Sequence, residues 1–164
     1  MSDPRLHPLT ALVKNESGVL SKISGLFARR GFNIDSLAVG ETSNPSYSRM
    51  SIVFKGEKSQ VEQVVRQLEK QISVISVKDL SKTRHLEREL AIFKVRATEE
   101  RRSEIVELVD IFKGKVLDVG KQFLAIEITG GSEKVRAFEN LLRDFGIEEM
   151  ARTGKVLLER SPIN

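Results

Sequence analysis

Hydrophobic residues recur at the three- and four-residue spacing of an amphipathic helix in four separate stretches of the chain. In the first stretch, Ser17 is placed to cap the start of the helix and Gly31 to end it. Gly114 lies just past the end of the third stretch, and Gly146 lies after the fourth. The pattern therefore predicts four helices. Their apolar faces are Val19, Ile23, Leu26 and Phe27; Val61, Val64, Val65, Leu68 and Ile72; Ile105, Leu108, Val109 and Phe112; and Val135, Phe138, Leu142 and Phe145.

Short runs between these helices have the alternation or the apolar content of half-buried strands. Met50, Ile52 and Phe54, for example, fall on one side of the third run. The segment from Thr42 to Ser46, which contains an Asn-Pro pair, predicts a turn between the second and third strands. The predicted strands are Leu9 to Val13, Ile34 to Val39, Met50 to Phe54, Ser73 to Leu80, Leu90 to Val95, Val116 to Val119, Phe123 to Ile128 and Ile147 to Ala151.

The predicted order is strand–helix–strand–strand–helix–strand, and it occurs twice. Each half matches the ferredoxin-like plan, in which two helices cover one face of a four-stranded antiparallel sheet. The polar connection from Ser81 to Arg88 is a suitable boundary. The sequence therefore predicts an α+β protein of two tandem ferredoxin-like (βαββαβ) domains, residues 1–80 and residues 81–164.

This plan leaves one face of each sheet without helices, although several strands carry apolar residues on both sides. The apolar residues on such a face must be buried by another element, and an open sheet edge tends to pair with another copy of the chain. Closed dimers of identical chains are the commonest homo-oligomers. A homodimer is therefore expected on physical grounds.

Composition excludes several classes of chemistry. Cysteine is absent from the 164 residues, which excludes disulfides, thiolate nucleophiles and cysteine-based metal sites. The two histidines, His7 and His85, are far apart, so neither a zinc site nor a Ser-His-Asp triad is expected. We predict no metal site and no catalytic residue on this chain.

Charge and hydropathy bear on location and partners. The net charge of +4 is dispersed among acidic residues over separate helices, which is typical of a solvated surface and argues against nucleic acid. No apolar run is long enough to span a membrane. The segment from Met1 to Leu6 lacks a secretory apolar region, so a cytoplasmic location is expected.

The stretch from Lys14 to Leu20 joins the first strand to the first helix and holds the most informative residues. Free backbone N–H groups at a helix start favour an anion such as a carboxylate. Gly18 would let a ligand approach the backbone, and the amide of Asn15 offers both a donor and an acceptor. This combination suits a free amino acid. Spacing alone also fits a simple turn capped by Ser17, and the following stretch with Asn33 and Ile34 fits a helix end and a strand.

The residue pattern resembles the small regulatory subunits of acetohydroxyacid synthase (AHAS, also called acetolactate synthase). An N-x-x-G turn between a first strand and a first helix is shared by many ACT domains, so that motif has low specificity. The ordered set spans nearly the whole chain and is specific to this family. It comprises Asn15 to Leu37, Ser48 to Met50, Glu87 to Leu90, Ile111 to Val116, Asp118-Val119 and Ala151 to Gly154.

The resemblance implies that the first domain is an ACT domain and that the chain is a non-catalytic subunit. Such a subunit activates a large catalytic subunit and confers feedback inhibition by valine. The family's effector site lies between two ACT domains of a dimer, with Asn15 and Gly18 from one subunit and Asn33 and Ile34 from the other. Thiamine diphosphate, Mg²⁺ and FAD are expected on the large subunit, and no cofactor is expected on this chain.

Three alternatives share parts of this pattern. An ACT-type amino-acid sensor for a different enzyme would differ only in its partner, and the motifs of the second half argue against it. An RNA-recognition motif has the same strand order but needs stacking aromatic residues, which the third strand lacks. A ferredoxin-fold hydrolase of the acylphosphatase type would need an organised Arg/Asn phosphate site, and no such motif is present.

Overall fold

The computed structural model describes residues 5–161, which form two compact units. The first unit extends to Leu86 and also takes in the chain from Lys155 onward, whereas the second runs from Glu87 to Gly154. The predicted division at residues 80 and 81 therefore differs from the structure, because the last described strand belongs to the first unit. Within residues 5–161, no helix is long and apolar enough to cross a membrane.

The first unit has the predicted βαββαβ order. Its sheet is antiparallel, with the strand order β2-β3-β1-β4, so that β2 and β4 form the edges. The elements are β1 (Arg5–Lys14), α1 (Val19–Arg29), β2 (Ile34–Glu41), β3 (Tyr47–Gly56), α2 (Lys58–Glu69) and β4 (Val74–Asp79).

The second unit repeats this plan, with the strand order β6-β7-β5-β8. Strand β9 also pairs with β5, whose first residues, His85 and Leu86, belong to the first unit. The prediction of an α+β protein with two ferredoxin-like domains is confirmed. The remaining elements are β5 (His85–Arg96), α3 (Arg102–Ile111), β6 (Lys115–Val119), β7 (Phe123–Gly130), α4 (Ser132–Leu142), a 3-10 turn (Arg143–Phe145), β8 (Ile147–Arg152) and β9 (Val156–Glu159).

Helix α2 is shorter than its apolar pattern predicts. It ends at Glu69, and the N–H of Gln71 donates to the carbonyl of Leu68 in a tightened last turn. Ile72, which we assigned to the apolar face of this helix, is 89% exposed. The prediction was wrong because three-to-four-residue spacing persists by chance beyond the last helical hydrogen bond.

The core of the first unit lies between the two helices and one face of the sheet. Buried residues of α1 and α2 pack with Met50, Ile52 and Phe54 of β3, one of the two central strands. The Phe54 ring meets the edge of Phe27 with centroids 5.3 Å apart, a geometry that aromatic pairs favour. This packing holds α1, and with it the turn before α1, in a defined position on the sheet.

Part of the opposite face of the first sheet is covered by β9. Leu157 of β9 is almost completely buried and packs against Val53 of β3 and Leu80, which follows β4. We expected this face of the sheet to need a covering element, but we did not expect it from residues 81–164, which were all assigned to the second domain. The structure shows that a strand of the same chain packs on this face.

In the second unit, Glu139 of α4 accepts hydrogen bonds from Arg143 at 3.0 Å and from Arg152 of β8 at 2.9 Å. The hydrogen bond from Arg143 is the main reason that the pKa of the Glu139 carboxyl lies below its ordinary value, and the charge of Arg152 acts in the same direction. Partial burial opposes this shift without reversing it. The paired carboxylate ties the end of α4 to an edge strand.

Replacing Glu139 by Gln is expected to lower stability at neutral pH but not in acid. A carboxyl whose pKa is lowered on folding stabilises the folded state above its ordinary pKa, and this contribution is lost as the pH falls through the folded pKa. Urea unfolding of both proteins between pH 7 and pH 3 measures the difference, which should shrink as the pH drops. A difference that stays constant with pH would show that packing, not charge, is responsible.

Candidate functional site

The turn between β1 and α1 is held against the hairpin turn between β2 and β3. The N–H of Asn15 donates to the carbonyl of Ser46 at 2.8 Å, and its side-chain Nδ2 donates to the carbonyl of Pro45 at 2.9 Å. The same Nδ2 lies 3.4 Å from a carboxylate oxygen of Glu41, the last residue of β2. Asn15 is thus fixed in orientation while its side chain remains exposed.

Helix α1 begins directly after Gly18 and has no serine cap. Gly18 is the N-cap residue, its φ of 83° is left-handed, and no side chain caps the first turn. The expectation that Ser17 caps this helix is therefore wrong, because the left-handed backbone at Gly18 turns the chain into the helix one residue later. A β-carbon at Gly18 would meet nothing within 4 Å, so the backbone here is open to solvent. The first-turn N–H groups have no intrahelical acceptor and carry the positive end of the helix dipole.

The other end of α1 leads into β2 through the predicted glycine. Gly31 has a φ of 69°, and the N–H of Phe32 donates back to the carbonyl of Phe27 at 3.0 Å, which closes a Schellman motif. Asn33 follows and is exposed, whereas Ile34 is half-buried against the core and pairs with Phe54. A bulge follows Ile34 and shifts the register of β2 before Ser36.

The four predicted site residues fall into two pairs. Asn15 and Gly18 lie by the end of β2 at Glu41, and Asn33 and Ile34 lie at its beginning. A strand rises about 3.3 Å per residue, so the two ends of β2 are about 23 Å apart. One copy of the chain therefore brings the residues of each pair together but does not bring the two pairs together.

The contact of Asn15 with Glu41, Pro45 and Ser46 was not predicted. The turn from Thr42 to Ser46 was identified, but nothing in the local pattern indicates which side chains it meets. The ferredoxin-like strand order could have predicted this contact, because it places the β2–β3 turn and the end of β1 at the same end of the sheet. In residues 5–161, no group of three or more His, Asp or Glu side chains could hold a metal ion.

Both units match known families. Residues 9–76 match the AHAS small subunit-like ACT domain, and residues 88–161 match the small subunit of acetolactate synthase. A probable acetolactate synthase small subunit of Methanothermobacter thermautotrophicus is 46% identical over 159 residues, which cover 96% of this chain and 95% of the relative. The chain belongs to the acetolactate synthase small-subunit family.

Two further relatives agree with this assignment. The probable acetolactate synthase small subunit of Archaeoglobus fulgidus is 48% identical over 154 residues, which cover 94% of this chain and 96% of the relative. The crystal structure of the acetolactate synthase small subunit from Thermotoga maritima has a TM-score of 0.89 and 44% identity, and covers 97% of this chain and 99% of that one. The resemblance predicted from the sequence is confirmed over both units.

Membership in this family assigns a regulatory role to the chain. The first unit contains an ACT domain, and a small subunit implies a large catalytic subunit as its partner. The match of the second unit to the acetolactate synthase small subunit also disfavours a sensor for a different enzyme.

Proposed function

We propose that this chain senses valine at a site shared by two copies and transmits its binding to the large subunit of acetolactate synthase. The observation that carries the proposal is the placement of the two residue pairs at opposite ends of edge strand β2. If two copies pair antiparallel along β2, Glu41 of one copy lies near Ile34 of the other. Each end of the joined strands then combines Asn15 and Gly18 with Asn33 and Ile34.

The chemistry of this combined site fits a free amino acid. The N–H groups at the start of α1 receive the carboxylate, where the helix dipole favours negative charge. Because the Nδ2 of Asn15 is engaged by Pro45, its Oδ1 is oriented as an acceptor for the ammonium group, and the carboxylate of Glu41 adds a negative charge nearby. Ile34 supplies apolar surface for a small branched side chain.

Regulation follows from the sharing of the site. An effector shifts an equilibrium only if it binds one arrangement more tightly than the other. A site completed by two copies meets this requirement, since a change in the β2 pairing changes the distance between Asn15 and Asn33. The free dimer activates the large subunit, and the valine-bound dimer lowers its activity.

The remaining parts of the proposal concern the holoenzyme. The chain itself carries no catalytic residue and no cofactor. The large subunit carries thiamine diphosphate, Mg²⁺ and FAD, and condenses pyruvate with a second 2-keto acid in branched-chain amino-acid biosynthesis. Both subunits reside in the cytoplasm.

Calorimetric titration of valine into the purified protein tests the site. Saturable binding of one valine per chain is expected, with alanine and aspartate as control ligands and light scattering as the measure of a dimer. Asn15→Ala should abolish the binding, because it removes both the fixed amide and its contact with the β2–β3 turn. Asn140→Ala, on the exposed surface of α4, is the matched control. Unchanged binding in Asn15→Ala would place the site elsewhere.

A further inference from the structure

The segment Lys155–Glu159, which we term the C-terminal strap, ties the end of the described chain to the first sheet. The N–H of Lys155 donates to the hydroxyl of Ser36 on β2 at 2.7 Å, and the N–H of Leu157 donates to the hydroxyl of Ser51 on β3 at 3.0 Å. Glu159 forms an ion pair with Lys78 of β4. The strap thus spans the sheet from one edge strand to the other.

The strap is held by burial as well as by hydrogen bonds. The side chain of Leu157 is 1% exposed and fills the space between Val53 and Leu80 on the face opposite the helices. Ser51 is 3% exposed, so its hydroxyl needs the hydrogen bond that the strap supplies. This attachment lies on the central strand β3 and not on an edge strand.

The hydrogen bond of the strap to Ser36 on β2 has different surroundings from its hydrogen bond to Ser51 on β3. Ser36 lies on an edge strand, directly after the bulge that follows Ile34. Ile34 and Asn33, which we assign to the effector site, are therefore only two and three residues before Ser36 in the chain. A displacement of the start of β2 moves the acceptor of the Lys155 N–H.

The chain passes between the two units at two points, after Leu86 and after Gly154. Lys155 is the first residue after the second of these points. A change at Ser36 thus acts on the residue that is covalently joined to the end of the second unit. The hydrogen bond between Ser36 and Lys155 connects the effector strand directly to this junction.

We propose that Ser36 is a positioning residue for feedback inhibition, which passes the effector-bound position of β2 to the second domain through the C-terminal strap. The inference rests on the proposed valine site. Ser36 itself does not contact the effector. Valine therefore binds with or without the Ser36 hydroxyl. Its binding changes the second domain only when that hydroxyl accepts the hydrogen bond from the Lys155 N–H.

Ser36→Ala tests this inference in the enzyme reconstituted from the large subunit and the full chain. The expected result is a valine dissociation constant within about threefold of the wild type, with most of the valine inhibition lost and activation retained. Ser36→Thr keeps a hydroxyl acceptor and should restore inhibition. Ser76→Ala, at an exposed serine of edge strand β4, should behave as the wild type.

The outcomes separate this inference from the proposed function. Full valine inhibition in Ser36→Ala would overturn the role of the strap, while valine binding by the wild type would leave the proposed site intact. Loss of valine binding in Ser36→Ala would make Ser36 part of the site and would also overturn the positioning role. If the wild type itself binds no valine, the proposed function fails and the inference fails with it. The thermal midpoint of each variant shows whether the fold is kept.

Discussion

Gly18→Asp is expected to weaken valine binding at least about 100-fold and to remove feedback inhibition, while the protein still activates the large subunit. The new carboxylate would lie at the start of α1, where no side chain now caps the helix. There it would occupy the N–H groups that we assign to the valine carboxylate and repel that carboxylate. Two anions cannot share this helix end.

The fold should tolerate this change. A β-carbon at position 18 would meet nothing within 4 Å, so no side chain has to move. The φ of 83° is left-handed, so any residue with a side chain is strained there, but aspartate and asparagine adopt this conformation more readily than the others. A carboxylate at a helix start also favours the helix itself. Any loss of stability should therefore be small compared with the loss of valine affinity.

Gly18→Asn separates charge from size. Asparagine has nearly the same shape and the same tolerance of a left-handed backbone, but it carries no charge. We expect it to weaken valine binding clearly less than aspartate does, as measured by calorimetric titration. Equal losses would mean that the glycine backbone or simple bulk decides the affinity. No loss in either variant would exclude the start of α1 as the carboxylate site.

Local patterns predicted the helices and strands of this fold well, but they predicted the ends of these elements less well. The end of α1 at Gly31 follows from a local requirement for a left-handed residue, and the structure has it there. The beginning was misplaced, because Ser17 is an acceptable cap in isolation, whereas the left-handed Gly18 follows a turn that Asn15 holds against the β2–β3 turn. Sequence-local rules do not contain that contact.

The return of the C-terminal strap to the first unit could not be predicted from periodicity. Val156, Leu157 and Leu158 form a short apolar run, and only Leu157 is buried. Its partners Val53 and Leu80 are distant in sequence, and no local feature shows that a strand paired with β5 also packs against the first sheet. The need for a cover was evident from the two-helix plan, but its source was not.

The candidate site was predicted from resemblance more than from chemistry. Spacing alone left open a simple capped turn at Asn15 to Gly18 and an ordinary strand start at Asn33. The structure adds that the two pairs lie at opposite ends of β2, which gives a physical reason for a site shared by two copies. A search for a complete pocket within one chain would miss a site of this kind.

Phe54→Ala is expected to destabilise the first unit by about 3–5 kcal/mol and also to weaken valine binding. Phe54 is completely buried, and its ring lies 5.3 Å from Phe27 and 5.8 Å from Phe32, measured between centroids. Truncation leaves a cavity at the centre of the core and removes the ring that supports Phe32. Phe32 immediately precedes Asn33, so the start of β2 should become less ordered and the site less preformed.

Phe138→Ala provides the matched control for this double effect. Phe138 is equally buried, in the second unit, with ring centroids 5.8 Å from Phe93 and 5.1 Å from Phe112. Its truncation should cost a similar free energy of unfolding, measured by urea titration, but leave the valine dissociation constant unchanged. If both variants weaken valine binding alike, the effect of Phe54 reflects general loosening of the protein. If only Phe54→Ala does so, the core beneath the start of β2 is part of what shapes the effector site.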